Sequence, residues 1–257
     1  MFRLTSASVT YGSNLALDCI NLRIQAGEAV GFVGLSGAGK TTLFRLFNGM
    51  VRPTEGTVQV NGSSLAKRSL EELRQVRAQI GFVHQDLSLI PNIRVLHNVL
   101  AGRLGRLSLL QGARALLFPP RSYVHEIYDI LQRVGIPEKL YERTDRLSGG
   151  QRQRVAIARA LFQKPRSLLA DEPVSSVDPA RARSAVSLLT EISREEGLTL
   201  CVSLHNLQLA REFFPRLVGL RQGRIVFDRA TEEVEEDEFE ALYDLSDLDS
   251  LPGSPPS

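Results

Sequence analysis

A glycine-rich loop between an apolar strand and a helix constrains this chain more than any other feature. Residues 29–33 (AVGFV) are almost uniformly apolar, as expected for a strand that is buried on both faces of a parallel sheet. The loop 34–39 follows, and from Lys40 to about Gly49 apolar residues recur at helical spacing. A buried strand, a glycine-rich loop and a helix in this order predict an α/β core with a sheet flanked by helices.

The loop itself predicts a ligand. Residues 34–41 (GLSGAGKT) match the pattern G-x-x-x-x-G-K-[ST] of phosphate-binding loops, in which glycines let backbone N–H groups surround a polyphosphate. Lys40 would reach the β- and γ-phosphates, and the Thr41 hydroxyl would ligate Mg²⁺ at the positive end of the following helix. A nucleoside triphosphate is therefore expected, whereas kinases, GTPases and motor ATPases all stay open. The predicted nucleotide-binding residues of this loop are Gly34, Leu35, Ser36, Gly37, Ala38, Gly39, Lys40, Thr41 and Thr42.

The rest of the chain alternates between strand and helix patterns. Residues 4–24 contain short strand patterns separated by turns, which predict an N-terminal antiparallel β subdomain. Strands are predicted at 57–60, 80–83, 168–170 and 199–204, and helices at 69–79, within 95–135 and from Ser148 to Phe162. The prediction is a P-loop nucleoside-triphosphatase core over residues 1–229, with a mixed sheet, and a helical subdomain at about 88–160 inserted into it.

Composition and charge limit the classes of protein. The chain is 43% hydrophobic and 23% charged, which is too apolar for disorder, and its apolar runs fall short of the roughly 20 residues of a membrane span. We expect a soluble, cytoplasmic chain. Its net charge of +2 hides an asymmetry, because residues 230–257 hold ten acidic residues and no basic one. The basic remainder suggests nucleic acid, anionic lipid or phosphate ligands, and the end of the acidic C-terminal tail is predicted to be disordered.

A pair of carboxylates follows a second apolar run. Residues 168–173 (LLADEP) place Asp171 and Glu172 at the end of a predicted strand. Beside the phosphate loop, Asp171 could hold Mg²⁺ directly or through water, and Glu172 could act as general base on an attacking water. Taken alone, an exposed acidic turn explains these residues equally well. Together with the phosphate loop, the catalytic interpretation is favoured.

A second helix start carries two unexpected glycines. Residues 147–151 read Leu-Ser-Gly-Gly-Gln, where Ser148 is a plausible N-cap but each glycine in the first turn costs about 1 kcal/mol. Bare N–H groups at a helix N-terminus would accept another phosphate. With this segment, over residues 2–229, the chain resembles the ATP-binding-cassette (ABC) ATPases, whose signature sequence is LSGGQ. The signature residues are Ser148, Gly149, Gly150 and Gln151.

The resemblance implies a homodimer and assigns further residues. It implies that two ATP molecules lie between head-to-tail subunits, with the signature of one subunit closing on the γ-phosphate held by the other. By the same resemblance Tyr11 stacks on adenine and residues 175–178 contact the partner, although Tyr11 alone would be taken for a strand residue that packs on the sheet. Gln85 and His205, otherwise an ordinary loop glutamine and a structural histidine, reach the metal and the γ-phosphate. The implied catalytic residues are Glu172, His205, Gln85 and Lys40, and the implied metal ligands are Thr41, Gln85 and Asp171.

Among transport cassettes the chain is similar to phosphonate importers. The similarity lies in residues 98–105, 203–205, 214–223 and 239–243. Three departures leave every catalytic group in place: Ser167 and Val177 stand where leucine or another apolar residue is usual, and Asn206 replaces an expected glutamine. The resemblance therefore implies an ATPase coupled to import of phosphonates or a related small phosphorus oxyanion.

Such a subunit needs partners. The resemblance implies two transmembrane permease subunits, a solute-binding protein and a peripheral position on the cytoplasmic face of the inner membrane, with no nucleic acid. The Arg-rich segment 94–121 is interpreted either as a solvated helical face or as a surface beside anionic lipid headgroups. The alternative function is an ABC-type ATPase that acts on nucleic acid or ribosomes, which the basic body permits. A soluble P-loop kinase is disfavoured because the signature has no role in it.

Overall fold

Two sheets organise the fold, and the computed structural model describes residues 1–66, 68–173 and 179–243. The first sheet is antiparallel and has the strand order β2-β1-β4-β5. The predicted N-terminal antiparallel subdomain is therefore confirmed. Its strands are β1 (Phe2–Tyr11), β2 (Asn14–Ile24), β4 (Glu55–Val60) and β5 (Ser63–Ser64).

The second sheet is mixed and has the order β10-β9-β3-β8-β7-β6. All its neighbouring strands are parallel except β9 and β10, which form a hairpin. Every residue of β7 and β8 is buried, as expected for parallel strands covered on both faces. The predicted α/β core with a mixed sheet is thus confirmed. Its strands are β3 (Ala29–Val33), β6 (Ile80–Val83), β7 (Ser167–Asp171), β8 (Thr199–Leu204), β9 (Arg216–Arg221) and β10 (Arg224–Ala230).

Strand register in this sheet positions the candidate site. Val33 pairs with Leu204, and Asp171 pairs with Ser203, so β3, β8 and β7 end at nearly the same level. The loops that follow these three strands therefore leave the sheet at one edge, where open α/β sheets bind ligands. The phosphate loop, Glu172 and His205 lie in these loops, and Asp171 is the last residue of β7.

Helices cover the mixed sheet and fill the connection between β6 and β7. In that connection α3 and α5 pack against α6, around buried residues such as Val99, Ile127 and Val155. The division of the chain into a core and an inserted helical subdomain at about 88–160 stays a prediction. Within the described ranges, no helix combines the length and apolarity that crossing a bilayer requires. The helices are α1 (Lys40–Phe47), α2 (Leu70–Arg77), α3 (Val95–Leu100), α4 (Leu109–Leu117), α5 (Arg121–Arg133), α6 (Gly149–Phe162), α7 (Pro179–Glu196), α8 (Leu207–Phe213) and α9 (Glu236–Tyr243).

The first part of the acidic tail packs against the core. Phe239 and Leu242 of α9 are buried, and the Phe239 ring meets the Phe227 ring edge-on at 5.6 Å between centroids. The guanidinium of Arg211 lies over the Phe239 ring, 4.3 Å from its centroid. The prediction of disorder concerns the last residues of the tail, which lie outside the described residues. The boundary of the tail at residue 230 stays a prediction.

Removing the Phe239 ring is expected to destabilise the whole chain. Because large aromatic side chains in cores leave cavities that collapse only partly, Phe239→Ala should lower the free energy of unfolding by about 3 kcal/mol. Urea denaturation followed by circular dichroism measures this. Val226→Ala, at a half-exposed position of β10, is the control and should change stability by less than about 0.5 kcal/mol. Equal stabilities for the two variants would contradict the packing of α9.

Candidate nucleotide-binding and catalytic site

The phosphate loop adopts backbone conformations that need glycine. Gly34 and Gly39 have φ angles of 149° and 106°, and a Cβ atom at Gly34 would lie 2.2 Å from the carbonyl oxygen of Leu220. Lys40 begins α1, and its ammonium donates to the carbonyl oxygens of Gly34 at 2.8 Å and Leu35 at 3.0 Å. The loop and the lysine therefore form one compact cradle at the end of β3.

Lys40 is a buried cation. It is only 3% exposed, and this desolvation lowers its pKa, while the nearby carboxylate of Glu172 acts in the opposite direction. A lysine taken out of water is stabilised by any anion brought to it. The electrostatics of the cradle therefore favour a polyphosphate, as the sequence pattern predicts.

Glu172 lies at the centre of the predicted catalytic residues. One carboxylate oxygen, Oε1, is 2.6 Å from Nε2 of His205 and 3.6 Å from Nζ of Lys40. The other, Oε2, accepts a hydrogen bond of 3.0 Å from the side-chain amide of Gln85. The structure thus brings together four residues that lie far apart in the sequence. Their catalytic roles stay predictions.

The backbone at Glu172 is strained. Its φ angle is +44°, in the left-handed region that residues other than glycine rarely adopt. The Glu172 N–H donates to Oγ of Ser203 at 2.7 Å, and the Ser203 hydroxyl donates to Oδ1 of buried Asp171 at 2.7 Å. Strain of this kind persists where the surroundings fix the residue, and Ser203 supplies that support.

Ser203 is a positioning residue that the sequence analysis did not single out. A polar residue inside the apolar run that follows Thr199 in β8 (TLCVSL) was the available signal. Two further residues that the sequence analysis missed, Arg159 and Gln153, belong to α6. The guanidinium of Arg159 donates to the carbonyl oxygens of Leu87 and Ser88, just after Gln85. The side-chain amide of Gln153 donates to the carbonyl oxygen of Pro173, just after Glu172. The helix that carries the signature therefore holds the segments after both Gln85 and Glu172.

Ser203→Ala is expected to slow turnover and destabilise the chain. It removes the acceptor for the Glu172 N–H and the donor to Asp171, which should reduce kcat about tenfold and cost about 1–3 kcal/mol of stability. Steady-state hydrolysis should show the loss in kcat rather than in KM, because Ser203 lies behind the carboxylates. Ser167→Ala is the matched control, since Ser167 is equally buried in β7 but its hydroxyl has no hydrogen-bond partner among the residues that the structure describes. A Ser203→Ala variant with the wild-type kcat would contradict the positioning role.

One pocket is lined by Tyr11 and by six of the nine predicted nucleotide-binding residues of the phosphate loop. Tyr11 is 43% exposed at its rim, where its ring is accessible. Gln222 and Gly223, in the β9–β10 turn, also line it and were missed, because nothing in the sequence ties that turn to the phosphate loop. Gly34, Leu35 and Ala38 support the loop without lining the pocket. The predicted residues that line it are Tyr11, Ser36, Gly37, Gly39, Lys40, Thr41, Thr42, Gln85 and Glu172.

The signature segment lies in a different pocket of the same chain. Ser148 is the N-cap of α6 and forms a capping box with Gln151, in which each side chain bonds the backbone N–H of the other residue. Gly149 and Gly150 line a pocket that, among the described residues, shares only Gln85 with the phosphate-loop pocket. Within one chain, therefore, the signature is not part of the phosphate cradle.

Nothing in the described part of the chain requires glycine at these two positions. Neither Gly149 nor Gly150 has a positive φ angle, and the nearest atoms to an added Cβ belong to Arg181, at 4.0 Å. Packing and backbone conformation thus leave the glycines unexplained. A close approach by another molecule would explain them.

Two further features noted in the sequence are a segment that the structure does not describe and a residue that has a structural role. The segment 175–178, predicted to contact a partner, lies outside the described residues, as does Val177. Asn206, noted above as a departure, is the N-cap of α8, where its side chain accepts a hydrogen bond of 3.1 Å from the Leu209 N–H. Asparagine is a strong N-cap residue, which gives this substitution a structural reason.

A glycine-rich phosphate loop after a central parallel strand, with two carboxylates at the end of a nearby strand, defines a P-loop nucleoside-triphosphatase. Comparisons with known proteins narrow the class. Residues 17–175 match the model of the family described as ABC transporter. The chain belongs to the ABC transporter family, and it is an ATPase of that family.

Relatives and solved structures agree with this assignment. A phosphonates import ATP-binding protein of Halalkalibacterium halodurans is 42% identical over 95% of this chain and 94% of its own length. One from Cupriavidus metallidurans is 46% identical over 93% of this chain and 85% of its own length. The dimeric bacterial ABC transporter cassette MJ0796 superimposes with a TM-score of 0.79 at 30% identity, covering 90% of this chain and 99% of that one.

Proposed function

We propose that this chain is the ATP-hydrolysing, energy-coupling subunit of an importer for phosphonates or a related small phosphorus oxyanion. The observation that carries the solute class is the similarity, over nearly the whole chain, to relatives that are named phosphonates import ATP-binding proteins. The observation that carries hydrolysis is the position of Glu172 among Lys40, Gln85 and His205.

In the proposed reaction Glu172 acts as general base. It accepts a proton from a water molecule whose oxygen attacks the γ-phosphorus, and the bond from that phosphorus to the β–γ bridging oxygen breaks to release ADP. Lys40 and the loop N–H groups offset the charge that develops on the phosphate oxygens. Gln85 and His205, both in contact with the Glu172 carboxylate, orient that carboxylate and the water.

The residues present fit a magnesium ion. Asp171 is a buried carboxylate with Oδ1 engaged by Ser203, Thr41 offers a hydroxyl at the start of α1, and Gln85 offers an amide oxygen. One carboxylate with neutral oxygen ligands and substrate phosphates is the set that Mg²⁺ usually takes in such sites. When bound there, Mg²⁺ would neutralise charge on the β- and γ-phosphates.

We further propose a head-to-tail homodimer in which Ser148, Gly149, Gly150 and Gln151 of each subunit contact ATP held by the other. Two observations support it: the signature and the phosphate loop line different pockets of one chain, and no described residue explains the glycines at 149 and 150. A helix N-terminus with glycine at its first two positions is well suited to approach a phosphate.

The proposed assembly also contains two transmembrane permease subunits and a solute-binding protein, with this chain on the cytoplasmic face of the inner membrane. Closure of the dimer would reach the permease through the segment after Gln85, because Arg159 and Gln153 tie α6 to the segments after both Gln85 and Glu172. The same helix thus connects the signature to a surface that a partner can contact.

Uptake measurements test the solute. Cells that lack this chain are expected to lose uptake of a phosphonate such as methylphosphonate, and the wild-type chain should restore it whereas Glu172→Gln should not. Undiminished phosphonate uptake in the deletion strain would contradict the proposed solute. Tight DNA binding that falls steeply with salt would instead support the nucleic-acid alternative.

A further inference from the structure

Helix α4 exposes its large apolar side chains. Leu109, Leu110 and Leu117 are 94%, 85% and 74% exposed, and the C-cap residue Phe118 is 77% exposed. We call these four side chains the α4 apolar face. Gly112 and Ala115 are instead the buried residues of the helix. A helix at the surface of a globular protein normally buries its large apolar residues, so α4 is inverted.

Helical periodicity gathers much of this surface on one side. Leu110 and Leu117 are seven residues apart and lie one above the other, and Arg114 falls between them on the same side. Leu116 lies about a third of a turn further round the helix and packs against the core. The outer side of α4 therefore combines leucines with a cation, which is typical of helices that lie in a membrane interface.

The sequence on either side of α4 is basic. From residue 87 to residue 125 the sequence has five arginines and neither aspartate nor glutamate. Arg103 is neutralised by Glu126, and Arg106 donates to the carbonyl oxygen of Ala78. Arg114 and Arg121 are exposed, and no carboxylate in the described residues pairs with either of them. Two cations beside an apolar face match a surface that offers both phosphates and hydrocarbon.

We propose that α4 lies in the interface of an anionic lipid bilayer, with the α4 apolar face in the acyl boundary and Arg114 and Arg121 against lipid phosphates. Buried Gly112 and Ala115 let the helix sit close to the body of the protein, so that its leucines project outward. The arginine stems can reach back to the headgroups while the leucines insert. The inference rests on the proposed location at a membrane and is independent of the solute.

Vesicle binding by the full chain tests whether the α4 apolar face enters the bilayer. The chain should co-sediment with vesicles of phosphatidylcholine and phosphatidylglycerol more strongly than with phosphatidylcholine alone. The double variant Leu110→Ser/Leu117→Ser is expected to lose at least about tenfold in partitioning, because two leucines no longer enter the acyl boundary. Leu15→Ser/Leu70→Ser, which changes exposed leucines of β2 and α2, is the matched control and should bind as the wild type does.

Arginine variants test whether Arg114 and Arg121 contact lipid phosphates. Arg114→Gln and Arg121→Gln should each weaken binding to the mixed vesicles about fivefold and leave binding to neutral vesicles unchanged. Arg3→Gln, at an exposed position of β1, should have no effect. Equal binding to neutral and anionic vesicles would overturn the assignment of the phosphates as the arginine ligand.

Absence of binding to either vesicle, or wild-type binding by the double leucine variant, would overturn the membrane assignment and point to a protein partner on this face. ATP hydrolysis without lipid separates this outcome from failure of the proposed function. The α4 variants should hydrolyse ATP at the wild-type rate, because α4 contributes no residue to the nucleotide pocket. A chain that hydrolyses ATP but ignores vesicles would contradict this inference alone.

Discussion

Glu172→Gln is expected to reduce ATP hydrolysis roughly a thousandfold while leaving ATP binding intact. The amide has nearly the shape of the carboxylate, so the contacts with Gln85 and Ser203 can persist, but it cannot take a proton from water. Lys40 still holds the phosphates, because its bonds to the loop carbonyls do not involve Glu172. Measurement of phosphate release and of nucleotide affinity on the same preparation separates the two effects.

The same variant should trap the dimer. If ATP lies between two subunits and cannot be cleaved, Glu172→Gln should elute as a dimer with ATP and as a monomer with ADP. Glu71→Gln, at an exposed position of α2, is the control and should show neither change. A Glu172→Gln chain that binds ATP but stays monomeric would contradict the sandwich arrangement, and residual wild-type hydrolysis would remove Glu172 from the role of general base.

Local features of the sequence predicted the core of the fold and much of the candidate site. The limits of β3, β6 and β8 follow directly from short apolar runs bounded by turn residues. The start of α6 follows from Ser148, whose capping box with Gln151 is readable as a spacing of three residues. Signals confined to a few neighbouring residues depend little on the rest of the molecule, which is why they survive in the structure.

Residues that act through tertiary contacts could not be predicted. Ser203 reaches Asp171 because β7 and β8 pair in one particular register, and nothing local reports that pairing. Arg159 and Gln153 look like ordinary polar residues of an amphipathic helix until the loops after Gln85 and Glu172 are placed beside them.

The segment 94–121 and the acidic tail are two surfaces whose exposed and buried residues the sequence likewise did not predict. The segment 94–121 could be interpreted as solvated or membrane-facing from its arginines, but only the structure shows that the leucines of α4 face outward. The acidic tail similarly gave no sign that Phe239 would pack against Phe227. Charge patterns indicate the kind of partner a surface can have, whereas burial decides which residues form that surface.

Mixing two inactive variants is expected to restore hydrolysis. Lys40→Ala removes the cation that holds the phosphates, and Gly149→Asp places a carboxylate at the helix end proposed to face the γ-phosphate, so each variant alone should lose roughly a hundredfold or more. In a head-to-tail dimer the heterodimer keeps one site in which both the phosphate loop and the signature are wild type. An equal mixture should therefore recover roughly a quarter of wild-type hydrolysis, since about half of the dimers are mixed and each has one intact site.

Pairing Lys40→Ala with Glu172→Gln provides the matched control. Lys40 and Glu172 are 3.6 Å apart in one chain, so they belong to the same half of each site. Every heterodimer of these two variants then has one defect in each site, and their mixture should stay inactive. Recovery with Gly149→Asp but not with Glu172→Gln would place the signature across the dimer from the phosphate loop. Failure of both mixtures would mean that the signature acts within its own chain, and the glycines at 149 and 150 would need another explanation.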